Sequence, residues 1–159
     1  MNRQSDLPYQ ALIAAPTFYL GVRCDEIEMH EIKFLEPCAE STPANALAAE
    51  ATRQLRAYLA DPNFAFELPL RVSGTIFQRR VWEQIAQIPN HQTRTYGQLA
   101  KTLHNAPRAV GQACGANPFP LIVPCHRVIA QGGGLGGFAR HDGGFLLDIK
   151  RWLLAHESV

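Results

Sequence analysis

Residues 117–138 read Asn117-Pro-Phe-Pro-Leu-Ile-Val-Pro-Cys-His-Arg-Val-Ile-Ala-Gln-Gly-Gly-Gly-Leu-Gly-Gly-Phe138, so that a cysteine stands between an apolar run and a glycine-rich loop. Leu121, Ile122 and Val123 can be buried, while Pro120 and Pro124 deny the segment a regular helix. Cys125 and His126 follow where the chain leaves the core, which puts a thiol and an imidazole on the floor of a cleft. The commonest fate of a free cysteine is that of a small buried hydrophobe. Inert cysteines seldom stand beside His, Arg and six nearby glycines (Gly115, Gly132, Gly133, Gly134, Gly136 and Gly137). A reactive thiolate needs a base or cation, a fixed backbone and an approach path, and this stretch supplies all three. Adjacent side chains point in different directions, so His126 is expected to reach the thiol through a water.

Downstream, the glycine loop lacks the Lys-Ser/Thr continuation of a nucleotide-binding loop. Phe145, Leu146, Ile149, Trp152 and Leu153 then mark an amphipathic helix ending near Glu157. Packed on the cysteine segment, it would bring Glu157 within reach of His126; spacing alone favours a solvated terminal glutamate.

Upstream, short helices prevail from Thr75 onward. Thr75-Ile-Phe-Gln78 fits a capping box, with Val81, Ile85 and Ile88 on one face until Pro89 ends the helix. A second box, Thr95-Tyr-Gly-Gln98, opens a helix through Leu99 and Leu103, and Pro107 starts a third helix running to about Ala116. Two short helices joined by so brief a turn read as a helix-turn-helix. The third carries Gly111 and Gly115 in its interior, each costing about 1 kcal/mol relative to alanine. Close approach to another surface explains them, and the residues leave open whether that surface is a neighbouring helix or a narrow DNA groove.

The first third reads as strands followed by one helix. Phe18, Leu20 and Val22, then Ile27 and Met29, then Ile32 and Phe34 keep the period of two of half-buried antiparallel strands, with Cys24-Asp25-Glu26 as a turn. Thr42 can cap a helix with Pro43 at its first position and Leu47, Ala51, Leu55, Tyr58 and Leu59 on one stripe, stopped by Asp61-Pro62-Asn63. The expected fold is α+β, with an N-terminal supporting domain over 1–72 and a helical domain over 73–159. No catalytic constellation falls in the first.

The formal charge of +1 over 159 residues conceals a split: residues 1–68 hold 5 basic and 10 acidic side chains, residues 69–159 hold 10 basic and 4 acidic. The second half is the one suited to phosphate. Neither a secretory signal nor a long apolar run is present, so the expected compartment is the cytoplasm, with no membrane partner. Four cysteines without paired spacing read as free thiols. Cys24 and His30 could ligate a metal, but no second pair of ligands accompanies them, and no metal is expected.

Pro124-Cys125-His126-Arg127-Val128, preceded by Asn117-Pro118 and followed by Gly-Gly-Phe, resembles the acceptor motif of the O6-alkylguanine-DNA alkyltransferases, the methylated-DNA–protein-cysteine methyltransferases. The likeness runs from about Phe77 to Glu157 and, more loosely, over the N-terminal part. It implies a DNA repair protein that flips O6-alkylguanine out of double-stranded DNA and takes the alkyl group irreversibly onto Cys125, without a cofactor, as a monomer whose cooperativity on DNA is left open. By the same resemblance His126 takes the thiol proton, Glu157 orients the imidazole, Tyr96 donates to the base and Asn117 braces the loop. Arg108 would fill the space of the flipped base, beside Ala109, Gly111, Gln112 and Gly115 in the minor groove. Tyr96, Val128, Leu135, Gly136, Gly137, Phe138 and Ala139 would line the pocket. From residues alone, Tyr96 is equally a helix-start core aromatic and Arg108 a surface arginine. Residues 139–144 exceed the family pattern and put the pocket edge, hence the alkyl groups accepted, in doubt. A non-catalytic damage-sensing DNA-binding protein is the competing expectation, against which Cys125 speaks. A cysteine hydrolase, needing an oxyanion hole and a placed water, is the third.

Overall fold

The computed structural model describes residues 8–132, 134–136 and 144–158. The chain divides into two compact units, Met1–Arg71 and Val72–Val159, and the architecture is α+β.

In the first unit β1 (Ala11–Ala14), β2 (Tyr19–Cys24) and β3 (Met29–Leu35) form an antiparallel sheet in that order. Its register pairs Ile13 with Leu20 and Leu20 with Phe34. Phe18, Leu20, Val22, Met29 and Ile32 are buried as the alternation predicts, whereas Ile27 is 79% exposed because it belongs to the turn. There Asp25 accepts the amides of Ile27 and Glu28. Helix α1 (Ala46–Ala60) packs on β1 and β2. Its N-cap is Asn45, not the expected Thr42. The Ala44 amide is tied to the Gln10 carbonyl at 2.8 Å, which keeps the chain extended past Pro43, and Asn45 Oδ1 then accepts the Ala48 amide. The helix stops at Asp61, as expected.

The second unit holds α2 (Ile76–Ala86), β4 (Arg94–Thr95), α3 (Tyr96–Thr102), α4 (Pro107–Gly115), a 3-10 turn at Cys125–Arg127, β5 (Val128–Ile129) and α5 (Gly144–His156). Both capping boxes are made in full, by Thr75 with Gln78 and by Thr95 with Gln98. Pro107 stands in the first turn of α4, which packs against α2 and α3. Strands β4 and β5, each of two residues, pair in parallel, Arg94 with Val128 and Thr95 with Ile129. This short ladder joins the start of α3 to the end of the cysteine turn.

On α5 the buried side chains are Leu147, Ile149, Lys150, Leu153 and Leu154. The expected stripe is thereby rotated: Phe145, Leu146 and Trp152 are half-buried, and a lysine takes the centre of the buried face. Among the described residues no helix is long and apolar enough to cross a membrane.

Candidate active site

Residues 117–124 wind through successive turns, with Leu121 at φ +76° and only 3% exposed. The amide of Asn117 bonds the Cys114 carbonyl at 3.2 Å. Its side chain spans the bend, with Nδ2 donating to the Val123 carbonyl (2.8 Å) and to Cys125 Sγ (3.2 Å), and Oδ1 accepting the Phe119 amide (2.9 Å). One asparagine thus holds both the loop and the thiol.

Cys125 is 5% exposed and opens the 3-10 turn. Its thiol is pushed well above the ordinary range, first by a hydrogen bond with the Cys114 thiol and then by burial; Asn117 and the Lys150 charge pull the other way. The resting group is therefore a protonated thiol, and any reaction must remove its proton.

His126 and Glu157 are 1% and 0% exposed, and His126 Nε2 lies 2.9 Å from Glu157 Oε2. A carboxylate oxygen only accepts, so Nε2 carries the hydrogen and Nδ1 the lone pair. Nδ1 is buried with no protein partner among the described residues. Burial first, and then the charges of Arg127 and Lys150, together push the imidazole pKa down by more than Glu157 raises it, so the ring is neutral near pH 7 and free to accept a proton at Nδ1. Arg127 completes the cluster, with Nε 2.8 Å from Glu157 Oε1 and a terminal nitrogen 2.9 Å from Oε2; its other terminal nitrogen donates to the Ile88 carbonyl at 2.7 Å. A lone buried carboxylate would be costly, and this pairing offsets the cost.

Tyr96, the first residue of α3, is half-buried, and its hydroxyl pKa is raised by burial and by the two thiols, so the phenol stays a donor. Gly136, at φ +68°, lies where a Cβ would come within 2.9 Å of the Tyr96 ring. Lys150 Nζ donates to the carbonyls of Val128 (2.7 Å) and Leu135 (2.6 Å) and sits 5.8 Å from the Tyr96 ring centroid. It ties the glycine loop to β5 and holds a cation beside both thiols.

The structure therefore brings together Cys125, His126, Glu157, Asn117, Tyr96, Val128, Leu135 and Gly136. Gly137, Phe138, Ala139 and the rest of the 139–144 extension, apart from Gly144, lie outside the described residues. Arg108 and Gln112 are exposed on α4, with Ala109, Gly111 and Gly115 half-exposed. Among the described residues a Cβ at Gly111 would meet only Tyr96, at an ordinary 3.9 Å, so packing among them does not require that glycine.

Sequence reasoning missed Lys150, Arg127 as a second partner of Glu157, and Cys114 as the thiol's neighbour. Lys150 left a signal: with Leu147, Leu154 and Glu157 it falls on one helical face, where a lysine is out of place. Cys24 and His30 do not share a site, since Cys24 pairs with Asn45 and His30 with Asp25.

A profile of the 6-O-methylguanine DNA methyltransferase DNA-binding domain matches residues 76–159. The methylated-DNA–protein-cysteine methyltransferase of Methanosarcina mazei is 37% identical over 158 residues, covering 94% of this chain and 97% of its own; that of Methanosarcina acetivorans is 48% identical over 111 residues, covering 69% and 68%. Mycobacterium tuberculosis OGT in complex with DNA superimposes with a TM-score of 0.78 at 36% identity, over 92% of this chain and 90% of the other.

Proposed function

The chain belongs to the methylated-DNA–protein-cysteine methyltransferase family, and we propose that it repairs O6-alkylguanine in DNA by transferring the alkyl group to its own Cys125, once per molecule. The observation that carries this reading is the buried His126–Glu157 pair, 2.9 Å apart, whose unprotonated Nδ1 belongs to the residue next to a buried thiol.

In the transfer, His126 Nδ1 takes the thiol proton through one water, leaving an imidazolium beside Glu157. The sulfur lone pair attacks the alkyl carbon, and the carbon–O6 bond breaks with its electrons on guanine. Tyr96, held as a donor by its raised pKa, hydrogen-bonds the departing base, so the leaving group need not carry a bare charge. Asn117 keeps Sγ aimed and stabilises negative charge on it through the 3.2 Å contact. The parts resemble a nucleophile, base and orienting acid. A thioether has no good leaving group, so the acceptor is consumed.

The target atom lies within the base stack, and flipping the nucleotide costs a few kcal/mol. Arg108, exposed at the start of α4, fills the vacated space in this reading, while Ala109, Gly111, Gln112 and Gly115 face the minor groove. Gly111 supports this, because the ordinary 3.9 Å that a Cβ would keep from Tyr96 gives no internal reason for a glycine, and close approach is then to DNA. Val128, Leu135 and Gly136 line the base pocket in the same reading, with Gly137, Phe138 and Ala139 assigned by resemblance alone. The unit Val72–Val159 does the docking and chemistry, and Met1–Arg71 supports it. The protein works as a cytoplasmic monomer without a cofactor, its cooperativity on DNA to be read from the binding isotherm.

The test is intact-mass analysis after incubation with an oligonucleotide containing O6-methylguanine. One methyl group per protein, mapped to Cys125 and absent in Cys125→Ala, is expected. Label elsewhere, or methyl loss at the wild-type rate in Cys125→Ala, overturns the reading.

A further inference from the structure

His91 is exposed, lies in the loop after α2, and adopts φ +70°. Left-handed backbone is uncommon outside glycine, although histidine is among the residues enriched there. Its Nδ1 reaches the main-chain carbonyl of Glu157, far along the chain. A carbonyl only accepts, so Nδ1 carries the hydrogen.

Glu157 follows the last residue of α5. Its amide still bonds the Leu153 carbonyl at 3.0 Å, but Ser158 turns away at φ +57°. The carbonyls of a last turn have no partner within their helix, and such ends fray. Here the end presents the carboxylate on which the His126 tautomer depends. The loop that supplies His91 also supplies the Ile88 carbonyl, which takes the Arg127 guanidinium at 2.7 Å. One short loop thus anchors two members of the cluster, Arg127 by its side chain and Glu157 by its backbone.

From this geometry we infer that His91 is a positioning residue for alkyl transfer, holding the Glu157 backbone so that the carboxylate stays on His126 Nε2. The inference rests on the acceptor reading above. It concerns a side chain outside the pocket and outside the DNA-docking helix.

Glycine and asparagine both tolerate left-handed backbone, and the amide nitrogen of asparagine stands about where histidine carries Nδ1. His91→Gly keeps the turn and loses the donor; His91→Asn keeps both. The readout is the rate of benzyl transfer from free O6-benzylguanine to Cys125, which needs no DNA, followed against pH. His91→Gly should melt no lower than wild type yet react roughly three- to tenfold more slowly, the size of one lost hydrogen bond. Its acid limb should move to lower pH, because Glu157 raises the His126 pKa while Arg127 and Lys150, which also face that ring, lower it. His91→Asn should recover most of the rate and the wild-type profile. Nitrogen-15 imidazole spectra of the wild type, needing no variant, should show the neutral His91 ring protonated at Nδ1. A wild type that takes up no benzyl group overturns the acceptor reading and this inference with it. A reactive wild type with His91→Gly matching it in rate and profile, a lower melting point without a moved limb, or a His91 ring protonated only at Nε2 overturns the inference alone.

Discussion

Lys150 and Cys114 act on the same thiol in opposite directions. The lysine charge lowers the Cys125 pKa, and the hydrogen bond that the Cys125 thiol donates to Cys114 raises it. Cys114→Ala should therefore move the alkaline rise of Cys125 labelling by iodoacetamide to lower pH. Peptide mapping isolates Cys125, and a coincident profile would show that Cys114 does not control the thiol. Lys150 also links stability to pH. Burial pushes its amine from 10.5 down to about 8, which corresponds to roughly 3 kcal/mol against the buried charge. Below about pH 8 both folded and unfolded states carry the proton and this cost is felt in full. Between about 8 and 10.5 the unfolded chain binds a proton that the native chain does not, so this group makes stability rise with pH. Cys125 and Tyr96, with raised pKa values, oppose that trend at higher pH. The check is thus a difference: denaturant stability of wild type minus that of Lys150→Met should climb from pH 8 upward, and a flat difference would exclude a depressed lysine.

Element by element, the site is assembled where short pieces end. Helix α3 begins with Tyr96 because Thr95 caps it, accepting the Gln98 amide at 3.0 Å while Gln98 returns a bond to the Thr95 amide. Thr95→Ala should cost about 1 kcal/mol of stability and, by loosening the first turn, slow transfer as well; a stability loss with transfer untouched would separate Tyr96 from its cap. Gly136→Ala should slow transfer further, since its Cβ would come within 2.9 Å of the Tyr96 ring at a left-handed φ. Both capping boxes were legible because their signature is local, four residues long and chemically specific. So was the cysteine segment, whose prolines and glycines announce irregular backbone. Strands β4 and β5 were not, since two residues carry no period and their pairing joins Arg94 to Val128 across the chain. The α1 cap was misplaced for a related reason: the bond from Ala44 to Gln10 that delays the helix is tertiary. Glu157 was placed near His126 only on the condition that the last helix packs on the cysteine segment, and its role came through resemblance. Its pairing with His126 spans 31 positions, and a glutamate at a helix end reads as solvated. Lys150 hid in plain view, because an apolar stripe is read by its apolar members.

At the scale of the molecule, the basic balance of residues 69–159 and the exposed Arg108 make two separable claims about DNA. Charge supplies sequence-independent affinity that falls with salt, whereas an arginine filling the vacated stack acts only when a base is extruded. Arg108→Ala should slow repair of duplex O6-methylguanine more than reaction with free O6-benzylguanine, because only the duplex must be opened; equal slowing of both would count against support of extrusion. Consumption of the acceptor should then leave a mark on the whole fold. Cys125 is 5% exposed and packed against Cys114 and Asn117. An added alkyl group must find room there, and the thioether forfeits the hydrogen bond with Cys114. Overfilling a packed site costs on the order of 1 to 3 kcal/mol, against a total stability of roughly 5 to 15 kcal/mol, so the alkylated protein should melt several degrees below the free one. The measurement pairs a titration against excess O6-methylguanine DNA with thermal unfolding of the recovered protein. Repaired base should plateau at one equivalent as the lower transition replaces the higher. Repair continuing well past one equivalent would reject an acceptor that is consumed, and an unchanged melting point at full alkylation would show that the pocket around Cys125 holds the group without strain.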